Sequence, residues 1–436
     1  MQQRRWLSRN FLLLLLGQVS SLVGNFTLKF ALSMYVLEQT GSAGLFAALL
    51  SLSMIPTVLL SPFGGVLADR VNRRDLMVAL DLLSGSAVLL AGLLLPRGHS
   101  IAVIAVLLVV LSVLSAFESP TVQACIPQML PAEHLAKGNA AVSQVQALAS
   151  LFTPFLGGMA YAAFGLLLVL WGTVLCFYLT AGLECGIRLA VQKGQSRNAA
   201  RTVRQDLAAS VRFLRRDRPE ILRLLLLAAL VSLFVAGTAV VGFPYLVRTA
   251  LGLPAEAYGL AESAMGAAAV LGSVFVGLTA GRLRLRWLAA VFLGFGLCLL
   301  PAGLVFALPL NASVRYGVLL AMFCLCQFGC SVFSTCSITV IQACTPETLM
   351  GKVMSLVFTL SMCAQPVGQI VYGALFDRFA GAPHWVLLPS GAVVCLIGLA
   401  SVPFFAGLER RAPLREAGNK EPADGSREGL SAGKEG

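Results

Sequence analysis

Twelve apolar stretches, each long enough to cross a bilayer as a helix, constrain this chain more than any other feature. A helix needs about 20 apolar residues to cover about 30 Å of hydrocarbon. Stretches of that kind fall at 11–37, 43–68, 75–95, 101–124, 140–163, 166–187, 224–247, 257–281, 287–309, 316–341, 353–376 and 384–407, with the break near Gly165 the least sharply marked. In lipid every backbone N–H and C=O must be satisfied internally, so segments of this length form helices. Only 12% of the 436 residues are charged, against roughly 25% in soluble chains. That is too few to coat a water-facing surface, which excludes a soluble enzyme. The expected fold is an all-α polytopic membrane protein with twelve transmembrane helices.

The charges that remain report topology. Cytoplasmic loops are enriched in Lys and Arg. With the N-terminus inside, 27 of the 32 Lys and Arg fall on inside loops and tails, and four on outside loops (Arg97, Arg248, Arg315, Arg378). Lys29 is left inside a span. A missed or added span would scramble this bias, so both termini are expected to be cytoplasmic in a plasma membrane. The net charge of +12 is then a signal for the inner leaflet, and nucleic acid is no partner. No cleavable signal peptide is apparent, because the apolar run after the basic residues 1–10 is too long. The 11 cysteines lie within or at the ends of spans, which gives a disulfide framework no support. The group Cys324, Cys326 and Cys330 reads as small packing residues, and no metal site is expected.

An internal repeat divides the chain. Gln123-Ala124-Cys125-x-Pro127 recurs as Gln342-Ala343-Cys344-x-Pro346 at an offset of 219, each at the inside end of an even-numbered span. Thr153-Pro154 with Gly157-Gly158 finds an echo in Gln365-Pro366 with Gly368, offset 212. Two offsets near half the length imply two parallel six-helix repeats, an arrangement found in transporters. The expected organisation is a six-helix bundle at 1–187, a basic linker at 188–223, a second bundle at 224–408 and a disordered tail at 409–436. Val203, Leu207, Val211 and Leu214 stand at helical spacing in the linker, as in an amphipathic helix lying on the inner surface.

The most specific motif is the run Gly64 to Leu76, GGVLADRVNRRDL, between spans 2 and 3. Gly64 and Gly65 permit close helix approach, while Asp69, Arg70, Arg73 and Arg74 crowd a tight inside turn. An acid among several arginines, within reach of another helix end, makes a latch that breaks when two halves rock. Here the chain resembles the major facilitator superfamily, whose loop between helices 2 and 3 reads G-x-L-x-D-R-x-G-R-[RK]. Gly65, Leu67, Asp69, Arg70, Arg73 and Arg74 match. Asn72 stands where the family has a second Gly, and Asn also tolerates a left-handed backbone. Within the superfamily the chain resembles the drug-export branch that includes macrolide efflux proteins and the enterobactin exporter. That likeness rests on Gly17 to Leu32, Phe117-x-Ser119-Pro120, Pro131 to Ala140 and Pro154-x-x-Gly157-Gly158. The resemblance covers about residues 8 to 408 and implies alternating access around a midplane cavity. It makes Pro154, Gly157 and Gly158 the match to the bend motif of exporters. The second-half copy of the loop is reduced to Gly281-Arg282-Leu283-Arg284, without an acid.

Polar residues inside the spans mark the path. Gln18, Ser21, Asn25 and Lys29 fall at i, i+3, i+7 and i+11 of span 1, within one arc of a helix. A cation within a span costs at least about 2.5 kcal/mol if unpaired. Lys29 therefore snorkels outward, contacts an anionic substrate or gate, or pairs structurally. Span 4 carries Ser112, Ser115, Ser119 and Gln123 on one face, and span 10 carries Gln327, Ser331, Ser334 and Gln342. Such faces either line a cavity or pack helices. The expected cavity is lined by spans 1, 4, 7 and 10. Three acids are candidates for proton coupling: Glu118 in span 4, Glu262 in span 8 and Asp81 in span 3. Position suggests that Asp81 pairs with the neighbouring arginines.

No G-x-x-x-x-G-K-[ST] occurs, so no nucleotide site is recognisable and no cofactor is expected. The histidines His99, His134 and His384 sit at span edges, so the chain reads as no membrane enzyme. The resulting expectation is a monomeric secondary transporter of a bacterial plasma membrane. It exports amphiphilic organic compounds (a drug, siderophore or secondary metabolite) by proton antiport. The alternative is an importer or a lysophospholipid-type carrier on the same fold.

Overall fold

The computed structural model describes residues 8–98, 100–131, 134–189, 216, 218–279, 287–345 and 347–411. Every regular element among them is helical. In chain order they are α1 (Arg9–Thr40), α2 (Ala43–Arg70), α3 (Arg73–Leu94), α4 (Ser100–Met129), α5 (Leu135–Cys185) and α6, which begins as Pro219–Val235. Then follow α7 (Ala255–Leu278), α8 (Trp287–Ala307), α9 (Ala312–Cys344), α10 (Glu347–Arg378) and α11 (His384–Arg411). Ten candidate membrane spans are long and apolar enough to cross a bilayer among the described residues. The linker helix expected around 203–214, the loop at 281–284 and most of the tail lie outside those residues.

Tight turns separate the first helices. Gly41 closes α1 in the left-handed region (φ 62°) and Ser42 caps α2, accepting from the Leu45 N–H. Asn72 caps α3 with φ −65° and accepts from the Arg74 N–H. The left-handed backbone that the family's glycine suggested is therefore not used there, because an Asn side chain at an N-cap satisfies a free N–H directly. The break expected near Gly165 is present. α5 has 51 residues, about 76 Å at 1.5 Å per residue, more than twice the hydrocarbon thickness. Gly165 interrupts it at φ 70°, ψ 177°, a conformation essentially confined to glycine. Beyond that point the helix runs antiparallel to α1: Gly24 faces Thr173 and Cys176, and Gly17 faces Thr180 and Glu184.

α6 is distorted rather than broken. After Val235 it continues as π-helix over Ala236–Gly242, one α-turn at Phe243–Tyr245, and π-helix again over Leu246–Ala250. Gly237 and Gly242 lie against the rings of Tyr372 and Phe376 on α10. Wide turns of this kind recur at functional sites. α1 packs along α5, α2 along α4, α7 along α9 and α8 along α11. The segment before residue 190 meets the segment after 217 along two seams, α2 with α10 and α5 with α7. Gln123–Pro127 of the internal repeat lies in the last turns of α4, and Gln342–Cys344 of the second copy ends α9, with residue 346 outside the described residues.

Candidate functional site

The polar stripe on α1 divides between two places. Asn25 and Lys29 line a cavity of about 190 Å³. Gln18 and Ser21 are buried, 9% and 3% exposed, on the side of the same helix nearer the α2–α3 turn. Around Lys29 the cavity takes Ser53 from α2, Ser112 and Ser115 from α4, and Gln369 from α10. Its remaining wall is apolar, including Phe46, Leu108 and Leu111, with Val240 from the π-helical part of α6. Spans 1, 4 and 7 thus contribute as the sequence suggests, but span 10 does not line this cavity. Ser331 is instead 2.7 Å from Ser273, oxygen to oxygen, on α7, where it packs one helix on another. Gln327 is half-buried and also absent from the lining. Their places are taken by α2 and α10.

Lys29 forms no ion pair or side-chain hydrogen bond with any described residue. Asn25 Oδ1 is likewise buried without a donor. Both groups face the same space, one helical turn apart.

Below them lies a group of acids. Glu118 accepts a hydrogen bond from the Ser21 hydroxyl at 3.3 Å. Asp81 on α3 is in contact with Ser21 and with Glu184 near the end of α5. Asp81 and Glu184 are each 1% exposed, and each leaves one carboxylate oxygen without a donor. A bound proton would supply the missing hydrogen bond. Among the described residues Asp81 makes no ion pair with an arginine. Arg74 reaches Asp75 at 3.2 Å and the Cys185 carbonyl at 2.5 Å, while Arg73 donates to the Ala124 carbonyl at 2.7 Å. These arginines tie the ends of α4 and α5 to α3, as cations at helix C-termini do. Gly65, Asp69 and Arg70 fall in the last turns of α2. Glu184 escaped sequence reasoning because it stands at a span edge, and its only signal is an acid in the otherwise apolar run 166–187.

Glu262 belongs to a different place. It lies beside Tyr258, whose ring stacks on Phe30 of α1 at 5.1 Å between centroids. That puts it on the α5–α7 seam. Pro154, Gly157 and Gly158 form the other side of the seam. Pro154 has no N–H of its own, and the next one, of Phe155, donates to Ser263 on α7 at 3.1 Å. Gly158 approaches Ala255 and Gly259 closely enough that a side chain would touch backbone, and Gly157 faces Phe30.

The seams tighten toward the α1–α2 turn. Asp377, at the end of α10, accepts from Ser42 Oγ (2.6 Å) and from the N–H groups of Ala43 (2.7 Å) and Gly44 (3.0 Å). Ser51 donates to Gln369 Oε1 at 3.0 Å. Glu38 pairs with Arg248 at the end of α6 and accepts from Tyr161 at 2.6 Å. None of these pairs was legible beforehand, since each joins residues more than a hundred positions apart.

Comparison with known proteins agrees with this architecture. The family model of the Major Facilitator Superfamily matches residues 14–368. Macrolide efflux protein A of Streptococcus pyogenes is 23% identical over 386 residues, 87% of this chain and 92% of that one. The multidrug efflux pump Tap of Mycobacterium tuberculosis is 30% identical over 151 residues, 33% of this chain and 36% of that one. Among solved structures, a bacterial homologue of the iron transporter ferroportin in its inward-facing state superposes with a TM-score of 0.73 at 21% identity, covering 93% of this chain and all of that one. With its spans, its loop motif and a family match over most of its length, the chain belongs to the Major Facilitator Superfamily.

Proposed function

We propose that the protein is a secondary transporter that exports amphiphilic organic compounds by proton-coupled alternating access. In this reading the two arms of α5 are separate spans, and twelve spans form two six-helix repeats, 1–187 and 224–408. The linker 188–223 and the tail 409–436 are cytoplasmic, as are both termini. The carrying observation is the position of the polar cavity beneath a sealed face. The bonds of Asp377, Glu38 and Ser51 join the two segments near the α1–α2 turn, and Lys29 and Asn25 lie deeper. The charge bias makes that turn external, so this conformation is shut to the outside and awaits cargo from the cytoplasm.

Proton coupling is assigned to Asp81, Glu118 and the newly recognised Glu184. They lie on the cytoplasmic side of the cavity, where an acid can exchange its proton as access alternates. Glu262, on the seam, senses closure instead. The efflux names of the relatives support the direction. Everted vesicles carrying the protein are expected to accumulate a fluorescent amphiphile only while a pH gradient stands, with proton release as the dye enters. Accumulation that survives collapse of the gradient would end the proton-coupled reading.

A further inference from the structure

The cavity holds a positive charge that no described residue pairs with or hydrogen-bonds. Lys29 lines it without a hydrogen bond or ion pair. The acid whose field reaches it, Glu118, already accepts from Ser21. Ser21 stands eight residues back along α1, about 12 Å of helical rise, so that carboxylate is engaged at another level of the bundle. One turn from Lys29 on the same face, Asn25 presents a buried amide oxygen that lacks a donor. Most of the remaining wall is apolar, from residues such as Leu32, Phe46, Leu108 and Leu111. A buried acceptor is unfavourable when left unanswered, and Lys29, an exposed residue lining the same cavity, sets a cation beside it, so one ligand can answer both together.

We propose that the cavity binds a single-ring amphiphilic carboxylate, its anion on Lys29 and a neighbouring O–H or N–H on the Asn25 oxygen. The class follows by elimination. A cationic amphiphile would meet Lys29 head on, a neutral one would leave it unpaired, and a dianion would find only one cation. Size narrows the class further: 190 Å³ is little more than the roughly 150 Å³ that holds a benzene. The cavity in this conformation takes one aromatic ring with a small substituent. Exit of such an anion also runs with an interior-negative membrane potential. The inference rests on the transporter reading for its biological meaning, but its chemistry is tested by binding alone.

The experiment titrates the full chain in lipid nanodiscs with para-ethylbenzoate and its uncharged isostere para-ethylbenzamide at neutral pH. The carboxylate is expected to bind about tenfold more tightly, as a charge-assisted bond implies. Lys29→Gln is expected to remove that preference while leaving benzamide affinity and the melting temperature unchanged, and Lys29→Arg to retain it. Equal affinities in the parent protein, no binding of either compound, or a preference that survives in Lys29→Gln each overturn the proposal. Dye accumulation by the same parent protein and variants in everted vesicles separates the two readings. A missing preference with gradient-driven efflux intact removes the anion class alone. A clear preference without efflux removes proton-driven export and leaves the anion class standing.

Discussion

Replacing Asp377 by Ala is expected to loosen the seal at the α1–α2 turn without unfolding the protein. The first N–H groups of any helix lack partners within it. In α2, Ser42 Oγ serves Leu45, while Ala43 and Gly44 donate to a carboxylate more than three hundred residues away. The carboxylate also places a negative charge at the positive end of the α2 dipole. Losing a cap costs about 1 kcal/mol, and losing the dipole contact about 0.3–1 kcal/mol. The additional Ser42 hydroxyl bond adds about 0.5–1.5 kcal/mol. Asp377 is exposed, so the low end of each range applies, and the total is about 2 kcal/mol. In the proposed alternating-access cycle α2 and α10 part at this face, so the whole loss falls on the sealed state. It shifts the sealed-to-open ratio by about thirtyfold, at about 1.4 kcal/mol per factor of ten. Asp377→Asn keeps an acceptor oxygen and loses the charge, for about 1 kcal/mol and about fivefold. Hydrogen exchange read by mass spectrometry on residues 42–47 measures this directly. Protection there should fall by those factors in nanodiscs while residues 73–80 of α3 are unchanged. Unaltered exchange at 42–47 in Asp377→Ala would refute the capping argument, and an equal rise in α3 would mean general destabilisation instead.

Other perturbations test the remaining parts. At Gly259 an added methyl would lie 2.5 Å from the Pro154 carbonyl oxygen, backbone that cannot step aside. Gly259→Ala is therefore expected to disfavour closure of the α5–α7 seam by about 1–3 kcal/mol, read as lost protection over residues 151–161 and reduced vesicle transport. Tyr161→Phe deletes the bond to Glu38 and leaves the Arg248 ion pair in place. About 1 kcal/mol of local protection over residues 35–40 should disappear, and no change there would discount the tyrosine. Asp69→Asn is expected to abolish transport at normal expression, as the loop resemblance implies, and retained transport would remove the latch reading of the motif.

What could be read from the sequence, and what could not, follows from the range of the forces involved. Membrane helices announce themselves because each must satisfy its own backbone, so spans, the Gly165 interruption and the polar arc of α1 depend only on residues close in sequence. The arc put Asn25 and Lys29 on one face of the helix, and both line the cavity. The same arc could not reveal that Ser21 turns toward acids while Asn25, one turn on, faces open space, because that division is made by α3, α4 and α5. Ser331 shows the converse: a serine face on a membrane helix suits a cavity or a neighbour equally well, and Ser273 decides for the neighbour. Asp377 lay just past the end of an assigned span, where an acid normally means only a solvated loop. Its role exists because α2 starts with unsatisfied N–H groups in a place that only the folded chain brings within reach. Gates are therefore the least legible part of such a protein. In the proposed cycle the seal is built from pairs contributed by segments far apart in sequence, and either partner taken alone reads as an ordinary helix end.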